Sequence, residues 1–141
     1  MNGTAMPPVN LVKERLTRGE LVRVLSVRFA RTMDIVGAAR TAGFHSLYVD
    51  MQHSTISLDD ASQICMAAGL AGMAPFVRVP GTDPEAISGA LDGGAYGIIV
   101  PQIRDAADAA AAVRAARFPP IGDRSGSSAL PQLEFASVET A

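Results

Sequence analysis

The sequence predicts an α/β fold made of four strand–helix units that follow one another along the chain. Two observations lead to this fold class. Short apolar runs rich in β-branched residues recur, each preceded by a polar residue or glycine, and helical stretches lie between them. Runs of this kind, which lack alternating polar residues, are typical of parallel strands that are buried on both faces of a sheet.

The predicted strands and helices alternate from the first element to the last. The strands are expected at residues 21–29, 47–49, 76–79 and 97–100, and the helices at residues 33–41, 58–68, 84–91 and 105–117. Ser57 and Asp83 stand where helix N-caps belong, and Pro84 follows at the first helical position. Glycines at 43, 72 and 93 stand where helices end.

Alternation of strands and helices indicates parallel strands joined by right-handed crossovers. Two architectures fit this pattern, a doubly wound open sheet and a (β/α)8 TIM barrel. A complete barrel typically needs about 250 residues. Four units in 141 residues would therefore form a half barrel, truncated before closure. Residues 122–141 carry few strand signals, and we expect them to be an irregular tail.

The composition fits a single domain over residues 1–141. Hydrophobic residues make up 48% of the chain and charged residues 18%, which provides for a core and argues against disorder. The net charge of −2 does not favour a nucleic-acid partner, and no apolar run reaches the length of a membrane span. With one cysteine, Cys65, and no secretory signal pattern, the sequence predicts a protein of the reducing cytoplasm.

Residues whose side chains could take part in binding or catalysis stand where the predicted strands end. Because functional groups of parallel α/β folds gather at the carboxyl ends of strands, these residues are candidates for one site. They are Arg28 and Arg31 after the first strand, Asp50, Gln52 and His53 after the second, Arg78 on the third, and Pro101 and Gln102 after the fourth. A carboxylate, an imidazole and a guanidinium together suit an anionic oxo acid, since arginine holds carboxylate or enolate oxygens and histidine moves protons.

Each candidate also has a structural interpretation. Asp50 could cap a helix or a turn, and His53 could be a solvated loop residue. Arg78 lies between apolar neighbours, where a charge needs a partner. Cys65 lies on an apolar helix face and is expected in the core. The loop at residues 122–128 could wrap an anion with backbone N–H groups or could be mobile.

An ordered series of short motifs connects these residues to a known family. The series is Gly43-Phe44, Val49-Asp50-Met51-Gln52-His53, Val77-Arg78-Val79-Pro80, Asp83-Pro84, Leu91-Asp92-Gly93-Gly94-Ala95, Val100-Pro101, and Arg117-Phe118-Pro119-Pro120 with Gly122 and Arg124. From about residue 10 to residue 128 the chain resembles the HpcH/HpaI aldolase family, class II 2-oxo-acid aldolases of the pyruvate/phosphoenolpyruvate barrel superfamily. The match corresponds to the N-terminal half of such a barrel.

The resemblance implies a metal-dependent aldolase. A divalent metal (Mg, Mn or Co) would chelate the oxo acid, and a 4-hydroxy-2-oxo acid would be cleaved to pyruvate and an aldehyde through an enolate. Arg78 would stabilise the enolate, His53 would be the acid/base, and Asp50 would hold a metal-bound water. The family's metal-binding Glu and Asp lie on later strands, so we expect the metal ligands beyond Ala141 and none in this chain.

The resemblance also implies an oligomer with shared sites. Asp92 resembles an aspartate that orients a neighbouring subunit's histidine, although the pattern by itself indicates only a helix C-terminus. Arg78, Gln52, Pro101 and Arg124 are expected to contact the substrate. The sequence departs from the family at three positions: Gln52 replaces a common Glu, His45 a common Asp, and Ser125 a common Gly.

Two other functions stay open at this point. The chain could be a truncated, catalytically incomplete form that acts only as part of a larger assembly, since an open half barrel would expose strand edges and apolar surface. It could also be a small doubly wound binding domain. That domain would need a glycine-rich phosphate turn after the first strand, and residues 29–33 contain no glycine.

Overall fold

The computed structural model describes residues 10–126 and 129–135, which form one parallel sheet flanked by helices. The strands are β1 (Val24–Val27), β2 (Ser46–Asp50), β3 (Ala74–Arg78) and β4 (Gly97–Ile99). The α-helices are α1 (Leu11–Thr17), α2 (Asp34–Thr41), α3 (Leu58–Leu70), α4 (Pro84–Asp92) and α5 (Ala106–Ala116), and a 3-10 turn follows at Pro131–Leu133.

The sheet order is β1-β2-β3-β4, with every neighbouring pair parallel. A doubly wound sheet reverses its strand order at a switch point, whereas a (β/α)8 barrel places each strand beside the next one in the chain. The consecutive order therefore confirms the prediction of four βα units with barrel topology.

The core lies between one face of the sheet and the helices. Leu47 and Val49 of β2 and Val77 of β3 are fully buried on this face, where they pack in one cluster with Ile64 of α3 and Ile87 of α4. Burial of such a side chain contributes about 1.5–3 kcal/mol. The apolar runs that predicted the strands thus supply most of the sheet side of the core.

The opposite face of the sheet, which we call the inner face, carries the alternate residues of each strand. The pairing of Ser26 with Tyr48, Tyr48 with Phe76 and Phe76 with Gly97 sets these four side by side in one row. A Cβ at Gly97 would come within 2.7 Å of the Phe76 ring, so glycine makes room for the aromatic side chain. Helix α1, which the sequence analysis did not predict, borders the same ring with a cavity between them.

The helix ends explain the pattern of glycines. After α2 and α3, Gly43 and Gly72 have φ values of +80° and +74°, and the next amides donate back to the last turn. This conformation suits glycine because it has no Cβ. Gly93 is the C-cap of α4, as predicted, and there the positive φ, +105°, falls at the next residue, Gly94. The predicted caps at Ser57 and Asp83 are confirmed.

Several boundaries differ from the prediction. β1 is limited to Val24–Val27, since pairing with β2 ends there and the outer residues Leu21 and Phe29 are exposed. β2 runs on through Asp50, because that residue pairs with Arg78 of β3.

The predicted irregular tail is partly built into the fold. The 3-10 turn lies within it, and Gly122 and Arg124 are buried. Residues 127, 128 and 136–141 of the tail lie outside the described residues. Within the described ranges, each helix is too short or too polar to cross a membrane.

Candidate active site at the carboxyl rim of the sheet

Three charged side chains form a row where the strands end. Val27 pairs with Val49, and Asp50 pairs with Arg78, so the residue after Val27, Arg28, falls level with Asp50. Arg28, Asp50 and Arg78 therefore stand side by side at the carboxyl ends of β1, β2 and β3, on the inner face. We call these three residues the rim row.

Asp50 and Arg78 form a two-point ion pair. Arg78 donates from Nε to Asp50 Oδ1 at 3.0 Å and from Nη2 to Oδ2 at 2.5 Å. The Asp50 side chain is 1% exposed and the Arg78 side chain 23% exposed, so the arginine is the more accessible member of the pair. The Arg78 guanidinium also lies 5.6 Å from the centre of the Tyr48 ring, a cation–π contact.

This environment fixes the charge of Asp50. The pKa of Asp50 is lowered to about 2: the hydrogen bonds from Arg78 contribute most, burial opposes them, and the backbone N–H groups of His53 and Gln52 also lower it. These amides donate to Oδ1 at 3.1 and 3.0 Å. Asp50 is therefore ionised at neutral pH and orients other groups, rather than exchanging protons. The same pair raises the pKa of Arg78.

Arg28 completes the rim row, a placement that the sequence indicated only by its position after the first strand. Its Nη2 and Nε donate to the backbone carbonyl of His53 at 2.8 and 3.3 Å. Its Nε lies 3.5 Å from Asp50 Oδ2, an ion pair without a hydrogen bond. Arg28 thus ties the loop after β2 to the end of β1.

His53 is anchored through its backbone and exposed through its side chain. Its N–H donates to Asp50 and its carbonyl accepts from Arg28. No described residue hydrogen-bonds to its imidazole, and the side chain is exposed. The structure therefore places His53 at the same rim as Arg78, with a ring that is available for proton transfer.

The rim row has donors to spare. A guanidinium has five N–H groups, and Asp50 accepts two of those of Arg78. No described residue accepts from Arg78 Nη1. Two guanidiniums stand against one carboxylate, so the row carries an excess positive charge that suits an anionic ligand.

The other predicted contacts at this rim come from neighbouring loops. The backbone of Gln52 is held by Asp50, and its side chain is half-buried. Pro101 is half-buried two residues beyond the end of β4, and the following Gln102 has a φ of +60°. Both positions are at the same end of the sheet as the rim row.

The structure does not bring Asp92 and Arg124 to this rim. Asp92 ends α4 and so lies near the start of β4, at the amino end of the sheet. Arg124 donates from Nη2 to Asp92 Oδ1 at 2.6 Å, and its guanidinium stacks 4.6 Å from the centre of the Phe118 ring. The Arg124 side chain is thus buried against α4, away from the rim row, and its contact with substrate stays a prediction.

The described residues do not fit a resident divalent metal by themselves. Residues 10–126 and 129–135 contain no group of three or more His, Cys, Asp and Glu side chains that could hold a metal ion. Both oxygens of Asp50, the carboxylate of the rim row, already accept hydrogen bonds from Arg78.

The fold and the rim row define a parallel α/β protein with a cluster of charged side chains at the strand ends, and comparison with known proteins gives its family. Residues 29–141 match the sequence profile described as HpcH/HpaI aldolase/citrate lyase. The chain belongs to this family, which confirms the resemblance of its motifs.

Curated relatives are named as aldolases. The chain is 44% identical over 117 residues to the 4-hydroxy-4-methyl-2-oxoglutarate aldolase tasA of Hapsidospora irregularis, covering 82% of this chain and 43% of that protein. It is 45% identical over 121 residues to the 4-hydroxy-4-methyl-2-oxoglutarate aldolase cghB of Chaetomium globosum, covering 85% and 45%. The chain thus spans less than half the length of these relatives.

A solved structure agrees with the fold. The HpcH/HpaI aldolase from Desulfitobacterium hafniense superposes with a TM-score of 0.81 at 29% identity, covering 91% of this chain and 49% of that one. The four βα units therefore correspond to about half of a TIM-barrel-type aldolase.

Proposed function

We propose that this chain forms part of an aldolase. The enzyme cleaves a 4-hydroxy-2-oxo acid to pyruvate and an aldehyde or ketone through an enolate. The observation that carries this proposal is the rim row. Arg78 is oriented by a buried carboxylate, keeps unused N–H donors, and lies at the same end of the sheet as the exposed imidazole of His53. The aldolase names of the relatives support the same reaction class.

Arg78 stabilises the negative charge that develops on the substrate during the reaction. When the C3–C4 bond breaks, its electron pair moves to C3 and the C2 oxygen, which becomes an enolate. The N–H groups of Arg78 that Asp50 does not bind donate to that oxygen, and the ion pair with Asp50 keeps them in place before the charge develops. Such preorganised donors contribute a large part of catalysis, typically a factor of about 10² or more.

His53 is the acid/base that transfers protons in the reaction. Its imidazole accepts the proton of the C4 hydroxyl as the C4 carbonyl forms, and protonation of C3 then gives pyruvate. The two backbone contacts, to Asp50 and from Arg28, fix the position of residue 53 while the ring keeps rotational freedom. Gln52 and Pro101 border the substrate from the adjoining loops.

Asp92 belongs to a shared site in this proposal. Arg124 binds one oxygen of the Asp92 carboxylate, and the aspartate side chain is still about half exposed at the surface. Its second oxygen is then available to orient His53 of the partner subunit in a homo-oligomer. Arg124 contributes by holding Asp92 and not by binding substrate in its own copy.

A divalent metal (Mg, Mn or Co) belongs to the proposal by family membership. Its ligands would come from outside the described residues, because those residues contain no suitable group. When bound, the metal would supply positive charge that stabilises the oxo acid and its enolate. The roles derived above for Arg78 and His53 do not depend on its geometry.

Release of pyruvate tests the proposal. The purified protein, with Mg²⁺ or Mn²⁺ supplied, is incubated with 4-hydroxy-4-methyl-2-oxoglutarate, and pyruvate is measured with lactate dehydrogenase. Arg78→Gln and His53→Gln are each expected to lower turnover by about 10²-fold or more. The matched control is Arg114→Gln, which replaces an exposed arginine in the last turn of α5 and should keep wild-type turnover. Undiminished turnover in Arg78→Gln would overturn the assignment.

A second candidate is a non-catalytic member of a larger assembly. The observation that favours it is the inner face, where Val24 and Ile99 are 47% and 38% exposed and the edge strands β1 and β4 each have one neighbour. Such surface promotes association. Sedimentation of the 141-residue chain distinguishes this candidate, since a stable monomer at high concentration would count against it.

A further inference from the structure

We infer that Arg28 recognises a second carboxylate of the substrate, so that the site prefers an oxo acid with two carboxylates over one with a single carboxylate. This inference rests on the proposed function, and it assigns a specificity-determining role to a residue at the same rim. Three features of Arg28 support this role: its position along the sheet, its unused N–H donors, and the charge of the rim row.

The position of Arg28 along the sheet follows from strand register. Side chains that point to one face alternate along each strand, and neighbouring parallel strands keep them in step. Arg28 is therefore on the inner face at the height of Asp50 and Arg78. The row directly below, which contains Tyr48 and Phe76, carries no charge. A ligand held by Arg78 thus has Arg28 beside it, two strands away.

The contacts of Arg28 leave it unsaturated. A buried carboxylate needs one well-placed cation, and Arg78 already occupies both oxygens of Asp50. Arg28 approaches the same carboxylate only at 3.5 Å and spends two donors on the carbonyl of His53. No described residue accepts from its Nη1. The side chain is 48% exposed, against 1% for Asp50, so an incoming anion meets the guanidinium first.

The charge of the row points the same way. Arg78 is paired with Asp50 and donates to the C2 oxygen, which is uncharged in the bound oxo acid. The rim row therefore keeps a net charge of +1 for one substrate carboxylate, and the unused N–H donors that can bind it belong to Arg28. A guanidinium in this position binds a carboxylate through parallel N–H···O bonds, a geometry that a planar fork matches. A substrate with a distal carboxylate would use it, whereas an alkyl chain would leave it unpaired.

Binding measured by titration calorimetry tests the inference without turnover. The probes are 2-oxoglutarate and 2-oxovalerate, five-carbon oxo acids that differ in the distal carboxylate. The wild-type protein is expected to bind 2-oxoglutarate about tenfold more tightly, the scale of one charge-assisted hydrogen-bonded contact. Arg28→Gln should reduce this ratio to near one while 2-oxovalerate affinity changes by less than about threefold.

Two further variants keep the test decisive. Arg28→Lys, which keeps the charge without the fork, is expected to retain part of the preference. The control Arg114→Gln should retain all of it. A wild-type ratio near one, an unchanged ratio in Arg28→Gln, or equal losses for both acids would overturn the role of Arg28 and leave the aldolase proposal standing. Failure to bind either acid would overturn both.

Discussion

The substitution Asp50→Asn probes the rim row most quantitatively, because asparagine resembles a carboxyl group that cannot ionise. The pKa of Asp50 lies at about 2 against an ordinary value of 3.8. At about 1.4 kcal/mol for each tenfold change in proton affinity, the charged form stabilises the fold by about 2 kcal/mol. We expect Asp50→Asn to lower the free energy of unfolding at pH 7 by about that amount.

The pH dependence gives this prediction its sign. Because the folded pKa is depressed, the stabilisation is complete above the ordinary pKa and is lost as the pH falls toward 2. The difference between wild type and Asp50→Asn should therefore be constant from pH 7 to pH 5. It should fall to about half near pH 3 and vanish below pH 2. Urea denaturation at each pH, followed by circular dichroism, measures it.

The matched control is Asp123→Asn. Asp123 also faces an arginine, at 3.6 Å, but both side chains are largely exposed, and such pairs contribute little. Its stability should equal that of wild type at every pH. Wild-type stability of Asp50→Asn at pH 7, or a difference that does not change between pH 5 and pH 2, would refute the reasoning about the buried ion pair.

Three further predictions concern the fold that supports the rim. Gly97→Ala should lower stability by about 1–3 kcal/mol in urea, since its Cβ would meet the Phe76 ring, whereas Gly37→Ala, in an open helix position, should raise it by about 0.5–1 kcal/mol; equal effects would contradict this packing. Cys65 is buried and its pKa is raised to about 12, so a thiol reagent at pH 8 should react only at the rate of unfolding, and rapid labelling of native protein would count against burial. Ser57→Ala removes the cap of α3 and should cost about 1 kcal/mol of unfolding free energy; an unchanged urea midpoint would argue against the cap.

The parts of the fold that depend on local chemistry were predictable. The glycine at 72 and the cap at Ser57 act within a few residues of their own positions, so the sequence shows them directly. Arg78 between apolar neighbours required a partner, and the structure supplies Asp50. The identity of that partner followed from strand register, which is a long-range property of the folded sheet.

Tertiary contacts account for the differences. Arg124 follows a motif that suggests substrate binding, but the chain after α5 folds back so that its guanidinium packs on Phe118 and pairs with Asp92. No local pattern indicates that return. Helix α1 was missed because it has only seven residues and buries only Val12, so the apolar pattern that marks an amphipathic helix is too short to stand out.

A crystal structure of the protein with a bound 2-oxo acid, such as 2-oxoglutarate, tests the central claim most directly. The predicted result is an oxo acid at the carboxyl rim of the sheet, with its C2 oxygen within hydrogen-bond distance of Arg78, the imidazole of His53 on the same side, and Asp50 still paired beneath. A ligand bound elsewhere, or a His53 imidazole that turns away from the ligand in the complex, would contradict it.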